Sequence, residues 1–238
     1  DLYGAMEMHT AQDDITADHL RKLGANVRVT GSLKPTAPAL ICDAPLHETL
    51  QTQLKDRFIW AVAPSHPADE NIARAAHDIV RTSHPDALLI IAPRFPDRQN
   101  QFAVDVPRKS LGQLPQKDDA IWLCDTFGDL GLVYRLACAV LIGGTFDATQ
   151  GHSPWEALIL RTAVFHGPNI ANFVPDYAQI DSAKAAVLIS DAQMLAQHLV
   201  SGALDTQTAR AATCMQAARV QTENLATDLL ALQKVTNG

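Results

Sequence analysis

The residues with the most chemistry in the least chain run from Gly143-Gly144-Thr145-Phe146-Asp147 through Gly151-His152-Ser153-Pro154-Trp155-Glu156. Glycines at this density let backbone come close to a ligand. Ser153 is placed to cap a helix, and Pro154 suits its first turn. Free N–H groups around Gly151, His152 and Ser153 would then form an anion site at a helix N-terminus. A carboxylate at Glu156, within that first turn, suits a pair of ribose hydroxyls. The same spacing also fits a glycine turn feeding a capped helix, with Glu156 answering the helix dipole. Spacing alone leaves both readings open.

Three other short segments carry polar residues directly after apolar runs. Pro93-Arg94 follows Ala87–Ala92, and the Arg94 fork matches a phosphate or carboxylate, or else pairs with Asp97 at the surface. Ser65-His66 follows Phe58–Ala63. There His66 is either a donor to a phosphate or sugar acid, or a turn histidine between prolines. Asp125 and Asp129 bracket Thr126-Phe127-Gly128. Asp125 is either a ligand contact or the holder of loop N–H groups, with Asp129 capping the next helix. His9, His19, His47, His77, His84 and His198 show no partner pattern and are expected to be solvated. No catalytic triad or zinc spacing is present, and Gly143-Gly144 lacks the Lys-Ser/Thr of a phosphate loop.

These segments need a scaffold that brings strand ends together. Phe58–Ala63, Ala87–Ala92, Ala120–Cys124, Ala139–Ile142, Ala163–Phe165 and Ala186–Ile189 are continuous apolar runs suited to strands buried on both faces. Helices are predicted from Pro67 to about Ser83, after Pro96, over Asp129–Ala137, from Pro154, from an Asp191 cap to Val200, and from Asp205 to about Lys234. The alternation implies a doubly wound, Rossmann-like parallel sheet, in which ligands lie beyond the carboxyl ends of the strands. The opening is different. It holds one helical pattern at about Asp14–Leu23 closed by Gly24, a short strand at Val27–Thr30, and a proline-containing linker from Gly31 to about Leu40.

Composition narrows the function classes. Hydrophobic residues make up 47% of the 238 positions, enough to build a sizeable core. A formal net charge of −7 argues against nucleic acid as the main partner, which needs clustered cations. Cys42, Cys124, Cys138 and Cys214 have no paired or metal-ligand spacing and read as reduced thiols, as in a cytoplasmic protein. No apolar run reaches the roughly 18–20 residues of a membrane span, and no signal peptide opens the chain. A start at Asp1 suggests a piece of a longer protein.

Taken in order, the segments resemble the 3-deoxy-manno-octulosonic acid (Kdo) transferases. The family's VTGNLK is matched by Val29-Thr30-Gly31-Ser32-Leu33-Lys34, and its A-S-T-H-x-G-E by Ala63-Pro64-Ser65-His66-Pro67-Ala68-Asp69. P-R-H-P-E-R-F stands as Pro93-Arg94-Phe95-Pro96-Asp97-Arg98, and G-D-T-x-G-E-L as Cys124-Asp125-Thr126-Phe127-Gly128-Asp129-Leu130. The glycine-rich family motifs fall on Gly143-Gly144-Thr145-Phe146 and on Gln150-Gly151-His152-Ser153-Pro154-Trp155-Glu156. F-G-P-x-x-x-N-F falls on His166-Gly167-Pro168 through Asn172-Phe173. The register holds to about Phe173. The chain departs from the family at Phe95, Gln150 and Ser153.

The resemblance implies the C-terminal, donor-binding half of a two-domain GT-B glycosyltransferase. Residues 1–32 would be the tail of the acceptor domain, 33–204 the nucleotide-sugar domain, and 205–238 a helix packing back toward the N-terminal domain. CMP-Kdo would be held by Ser65, His66, Pro93, Arg94, Asp125, Gly143, Gly144, Thr145, Gly151, His152, Ser153 and Glu156. No metal and no cofactor are implied. The general base and the contacts to a lipid A precursor would lie upstream of Asp1, as would any membrane contact. The full protein would then work at the cytoplasmic face of the inner membrane, and this soluble half would be inactive alone. Another GT-B enzyme acting on a UDP-sugar, or a decayed nucleotide-binding module, are the rival readings.

Overall fold

The computed structural model describes residues 3–97 and 106–236. The helix expected after Pro96 runs into residues 98–105, outside the described residues, and Arg98 lies there too. The chain divides into two units, Asp1–Pro38 with Thr213–Gly238, and Ala39–Ala212.

The smaller unit begins as a short β-α-β turn. Strand β1 (His9–Ala11) pairs in parallel with β2 (Val27–Val29), and helix α1 (Asp14–Lys22) crosses between them. Asp13 caps α1 by accepting from the Thr16 N–H at 2.7 Å. Gly24 follows the helix at φ 90°, a conformation glycine adopts without a Cβ penalty. Ala11, Ala17, Ala25 and Val27 form a small core.

The larger unit carries the sheet. In chain order it runs α2 (Ala44–Gln53), β3 (Ile59–Ser65), α3 (Pro67–Val80), β4 (Leu88–Pro93), β5 (Ile121–Leu123), α4 (Leu130–Leu136) and β6 (Ala139–Ile142). It continues with α5 (Trp155–Ile159), β7 (Ala163–His166), α6 (Val174–Ser182), β8 (Ala186–Leu188) and α7 (Ala192–Leu199). Helix α8 (Leu204–Thr236) starts in this unit. All six strands are parallel, in the order β5-β4-β3-β6-β7-β8. The chain winds outward from β3 in one direction and from β6 in the other. β3 and β6 are therefore neighbours at the point where the winding reverses, and the crevice for a ligand opens beyond their carboxyl ends.

The apolar runs are strands for the reason given above. Trp60, Ala61, Val62, Leu88, Leu89, Ile90, Ile91, Val140 and Leu141 are wholly buried, since helices cover the sheet on both sides. Helices α2 and α6 were not anticipated. α2 buries only Leu50 of its own residues, so its pattern shows little apolar stripe, although Asp43 caps it by accepting from the Leu46 N–H at 3.0 Å. α6 buries Asp176 beside Tyr177 and Ile180, which breaks the usual polarity rule.

At the leading ends of the strands, Arg57 binds four carbonyl oxygens. Its guanidinium donates to Asp86, Ala87, Gln116 and Asp119 at 2.6–3.3 Å, tying the chain before β3 to the approaches of β4 and β5. Among the described residues, no helix is long and apolar enough to cross a membrane.

His77 is not solvated as expected. It is 1% exposed on the inner face of α3, where Nδ1 accepts from the Trp60 indole at 3.1 Å and Nε2 contacts the Ala120 carbonyl at 2.8 Å. Each nitrogen then has the partner a neutral ring requires, with the proton on Nε2. Burial pushes its pKa from 6.5 down to about 4. Between those values the unfolded chain binds a proton that the native ring refuses, so stability is full above about pH 6.5 and falls as pH drops toward 4. Replacing His77 with Gln should remove up to one proton's share of that slope, about 1.4 kcal/mol per pH unit, measured by urea unfolding between pH 4 and 6.5. An unchanged slope would show that His77 is not held neutral.

Candidate functional site

Two loops meet at the reversal point, one after β3 and one after β6. They pass so closely that a Cβ at Gly143 would run into the Pro64 carbonyl. Behind them lies Asp69, fully buried in the first turn of α3. Its carboxylate accepts from the backbone N–H groups of His66 at 3.0 Å, Gly144 at 2.6 Å, Thr145 at 3.2 Å and Phe146 at 3.3 Å. Burial pushes the Asp69 carboxyl upward, while the amides of Gly144 and His66 pull it down. Burial outweighs them and holds the carboxyl above its ordinary value, so the four amide donors return only part of the solvation that burial removed.

Thr145 completes this support from inside. Its hydroxyl donates to the Ile142 carbonyl at 2.8 Å and accepts from the Gly167 N–H at 2.8 Å, joining the ends of β6 and β7. Gly144 takes φ 69° and Gly151 φ 84°, both in the left-handed region. Gln150 sits at φ 65°, where the family pattern has a glycine.

In front of these loops is a cavity of about 400 Å³. Arg94, Ser153, His152 and Glu156 line it with polar groups, and Pro93, Phe127 and Leu130 are among its apolar walls. That size is within the range of small-molecule sites, and so is the mixture of apolar wall with a few convergent polar groups. Among the described residues Arg94 is in ion-pair range of no carboxylate, Asp97 included; its guanidinium lies 5.6 Å from the Phe95 ring. Two of the lining residues are held from behind by Lys109, 2.9 Å from the Asp129 carboxylate and 3.1 Å from the Thr126 hydroxyl. Cys124 also lines the cavity, but burial raises its thiol pKa far above neutrality, so it offers no thiolate nucleophile. No cluster of His, Cys, Asp and Glu among the described residues could hold a metal ion.

The expected site residues separate into two groups. Pro93, Arg94, His152, Ser153 and Glu156 share the cavity. His66 reaches it through His152, their Nε2 atoms 2.9 Å apart and their rings stacked. Ser65, Asp125, Gly143, Gly144 and Thr145 instead form the frame. The Ser65 hydroxyl is buried and donates to Glu70 at 2.7 Å. Asp125 accepts from the Ser110 N–H at 2.9 Å and its hydroxyl at 2.7 Å, so it fastens a loop and its carboxylate is already engaged.

Three local expectations need correction. The Gly151 N–H is not free for an anion, because it donates to the Gly144 carbonyl at 2.7 Å. Ser153 does not cap α5; Pro154 occupies the cap position and makes no side-chain cap bond. Asp129 holds the N-cap position of α4 without capping it through its side chain, which bonds the Thr126 hydroxyl and Lys109 instead.

Sequence reasoning did not single out Phe127 and Phe173 as cavity walls. Phe127 is 74% exposed, although it is apolar and lies between two loop-forming residues. An aromatic residue between Thr126 and Gly128, in a segment directly after an apolar run, was the available signal.

No protein-family model matches the chain. Among curated proteins, the chain is 25% identical over 222 residues to the 3-deoxy-D-manno-octulosonic acid transferase of Haemophilus influenzae, a match covering 88% of this chain and 52% of that protein. It is 29% identical over 204 residues to the protein of the same name from Bordetella pertussis, covering 77% and 45%. The chain thus resembles Kdo transferases over most of its length and spans about half the length of these relatives. Among solved structures, it matches the C-terminal CMP-Kdo binding domain of WaaA from Acinetobacter baumannii with a TM-score of 0.65. That match has 24% identity and covers 72% of this chain and 97% of that one. The fold is that of a GT-B glycosyltransferase C-terminal domain.

Replacing Asp69 with Ala leaves four loop amides without their acceptor. The variant should lose about 3 kcal/mol or more in urea unfolding, with the β6 loop losing hydrogen-exchange protection first. Wild-type-like stability would remove Asp69 from its central place.

Proposed function

We propose that this chain is the donor-binding half of a Kdo transferase, holding CMP-Kdo in the cavity beyond β3, β4 and β6. One observation carries the reading: Arg94 from the loop after β4, Ser153 from the loop after β6 and Glu156 from the first turn of α5 line one cavity at the reversal point of the sheet. The curated relatives and the matching fold support it.

Each group has a chemical task in this reading. Arg94 offers a planar fork of donors to the phosphate. The Ser153 hydroxyl adds a donor that needs no charge. Glu156 accepts from the ribose hydroxyls across the cavity. The apolar wall of Phe127, Leu130 and Phe173 takes the flat face of the base. The frame residues Asp69, Thr145, Gly143 and Gly144 act indirectly, by fixing the loops from which these groups project.

The reaction would displace CMP from the anomeric carbon of Kdo by an acceptor hydroxyl of a lipid A precursor. Negative charge grows on the departing phosphate. Donors already aimed at it lower the barrier, because they need no rearrangement as the bond breaks. No carboxylate in this half is assigned the acceptor's proton; that base and the acceptor contacts are assigned to a further domain. The same assignment puts the complete enzyme at the cytoplasmic face of the inner membrane.

Calorimetric titration of the chain with CMP, UDP and GDP tests the donor. CMP should bind most tightly, and a preference for either diphosphate would overturn the reading in favour of another GT-B enzyme. Replacing Arg94 with Ala should weaken CMP binding about 10- to 100-fold, the worth of a charged hydrogen bond of about 1.5–3 kcal/mol. An affinity unchanged by that substitution would remove the phosphate from the Arg94 side of the cavity.

A further inference from the structure

Asp176 is a buried acid that the proposed chemistry does not use. It lies in the first turn of α6 with 4% of its surface exposed. Its carboxylate accepts from the Trp155 indole N–H at 2.5 Å. Trp155 opens α5 and is itself buried. The next residue on α6, Tyr177, is wholly buried, and its hydroxyl donates to the His152 carbonyl at 3.0 Å. Adjacent residues of α6 thus hold His152 and Trp155, and only Ser153 and Pro154 lie between those two.

The chain leading into α6 continues the pattern. Asn169 donates through its backbone N–H to the Thr145 carbonyl and through its side-chain amide to the Asp147 carbonyl, both at 3.0 Å. Asn172 donates in the same two ways, to the Gln150 carbonyl at 3.1 Å and to the Thr149 carbonyl at 2.8 Å. With Tyr177, residues 169–177 occupy five carbonyl oxygens of the loop after β6. Each asparagine holds two points of the loop at once, which fixes their spacing as a single bond would not.

The α6 end of this clamp is its stiffest part. Both bonds lie where water is excluded, so breaking either strands a buried polar group. Burial holds the Tyr177 phenol well above its ordinary range, so it stays a donor. The Tyr177 ring lies against His166, with centroids 4.3 Å apart, and His166 is buried and 3.1 Å from the Asp181 carboxylate. Ser153 directly follows His152, and Glu156 directly follows Trp155. Both cavity groups therefore sit one residue beyond a held position. A shift of about 1 Å at a supporting residue is enough to spoil contacts of this kind.

We propose that Asp176 and Tyr177 are positioning residues of the nucleotide site, Asp176 setting Glu156 through Trp155 and Tyr177 setting Ser153 through His152. This rests on the nucleotide reading above and divides it between two neighbouring side chains that do not touch the ligand. Loss of the Asp176 bond then shows in recognition of the ribose hydroxyls, which Glu156 serves. Loss of the Tyr177 bond shows in recognition of the phosphate, which Ser153 serves. The buried aspartate that breaks the usual polarity of α6 has its purpose in this contact.

The test is calorimetric titration of the 238-residue chain with CMP, 2′-deoxy-CMP and cytidine, at a temperature where circular dichroism shows each variant folded. Asp176→Ala should weaken CMP binding about 10-fold, the worth of one buried hydrogen bond, and bring the preference for CMP over 2′-deoxy-CMP toward one. Asp176→Asn keeps an oxygen that accepts from the indole and should retain most of both. Tyr177→Phe should weaken CMP about 3- to 10-fold and shrink its advantage over cytidine, leaving its advantage over 2′-deoxy-CMP in place. Wild-type affinity ratios in the folded variants, with only the melting temperature lowered, would overturn the inference and leave the nucleotide reading standing. An Asn variant as weak as the Ala variant would overturn it too, because the claim is one of contact and not of charge. Wild-type binding of CMP with no preference over either analogue would overturn the ribose and phosphate assignments, and the inference with them. Failure of the wild-type chain to bind CMP would overturn the nucleotide reading itself. Tyr177→Phe removes a single oxygen atom, so its arm decides the matter even if Asp176→Ala does not fold.

Discussion

A single carboxylate, sealed from water between two loops, sets the geometry on which the cavity depends. Asp69 belongs to α3, yet three of its four amide partners belong to the chain leaving β6. An ion in that position is tolerable only while its donors remain in place, so the loop and the carboxylate stabilise one another. The same contact fixes the spacing of β3 and β6 at their carboxyl ends, where Gly143 leaves no room for a side chain against Pro64. The cavity-lining groups Arg94, His152, Ser153 and Glu156 are then carried on a braced rim.

This division of labour separates two kinds of polar residue at the strand ends. One kind is turned inward and has its hydrogen bonds satisfied within the fold, as with Ser65, Thr145, Asp69 and Asp125. The other faces the cavity. Arg94 is the clearest case, since among the described residues its guanidinium meets no carboxylate. Burying the first kind costs solvation that backbone partners return, which makes these residues rigid. Leaving the second kind in reach of water keeps them available for an incoming anion.

Much of the fold was legible because buried parallel strands have a plain signature. Phe58–Ala63, Ala87–Ala92 and Ala139–Ile142 are continuous apolar runs, and the sheet contains strands at Ile59–Ser65, Leu88–Pro93 and Ala139–Ile142. Helices α2 and α6 escaped notice, because one shows little stripe and the other buries an aspartate. At the site, strand ends pointed to the correct loops but not to the direction of each side chain. Ser65 and Arg94 both follow apolar runs, yet one is sealed inside and the other open; an arginine is expected to stay in reach of water, but a serine can face either way. The Gly151 amide was lost to a backbone partner that only the folded loop supplies. His77 looked isolated because its partners Trp60 and Ala120 are distant in sequence.

At the far end of the strands, the Arg57 guanidinium has another character. Its hydrogen-bond partners are neutral carbonyl oxygens, and the carboxylates of Asp86, Asp119 and Asp118 act on it only through their field, not as bonded partners. Raising ionic strength weakens an exposed pair such as Arg21 with Asp18 but has little purchase on this cluster. A lysine could carry the same charge to the same place, yet its one ammonium cannot spread across four oxygens. The hydrogen bonds at the base of the sheet are therefore less open to the salt content of their surroundings than an ion pair would be, and the shape of one side chain makes them so.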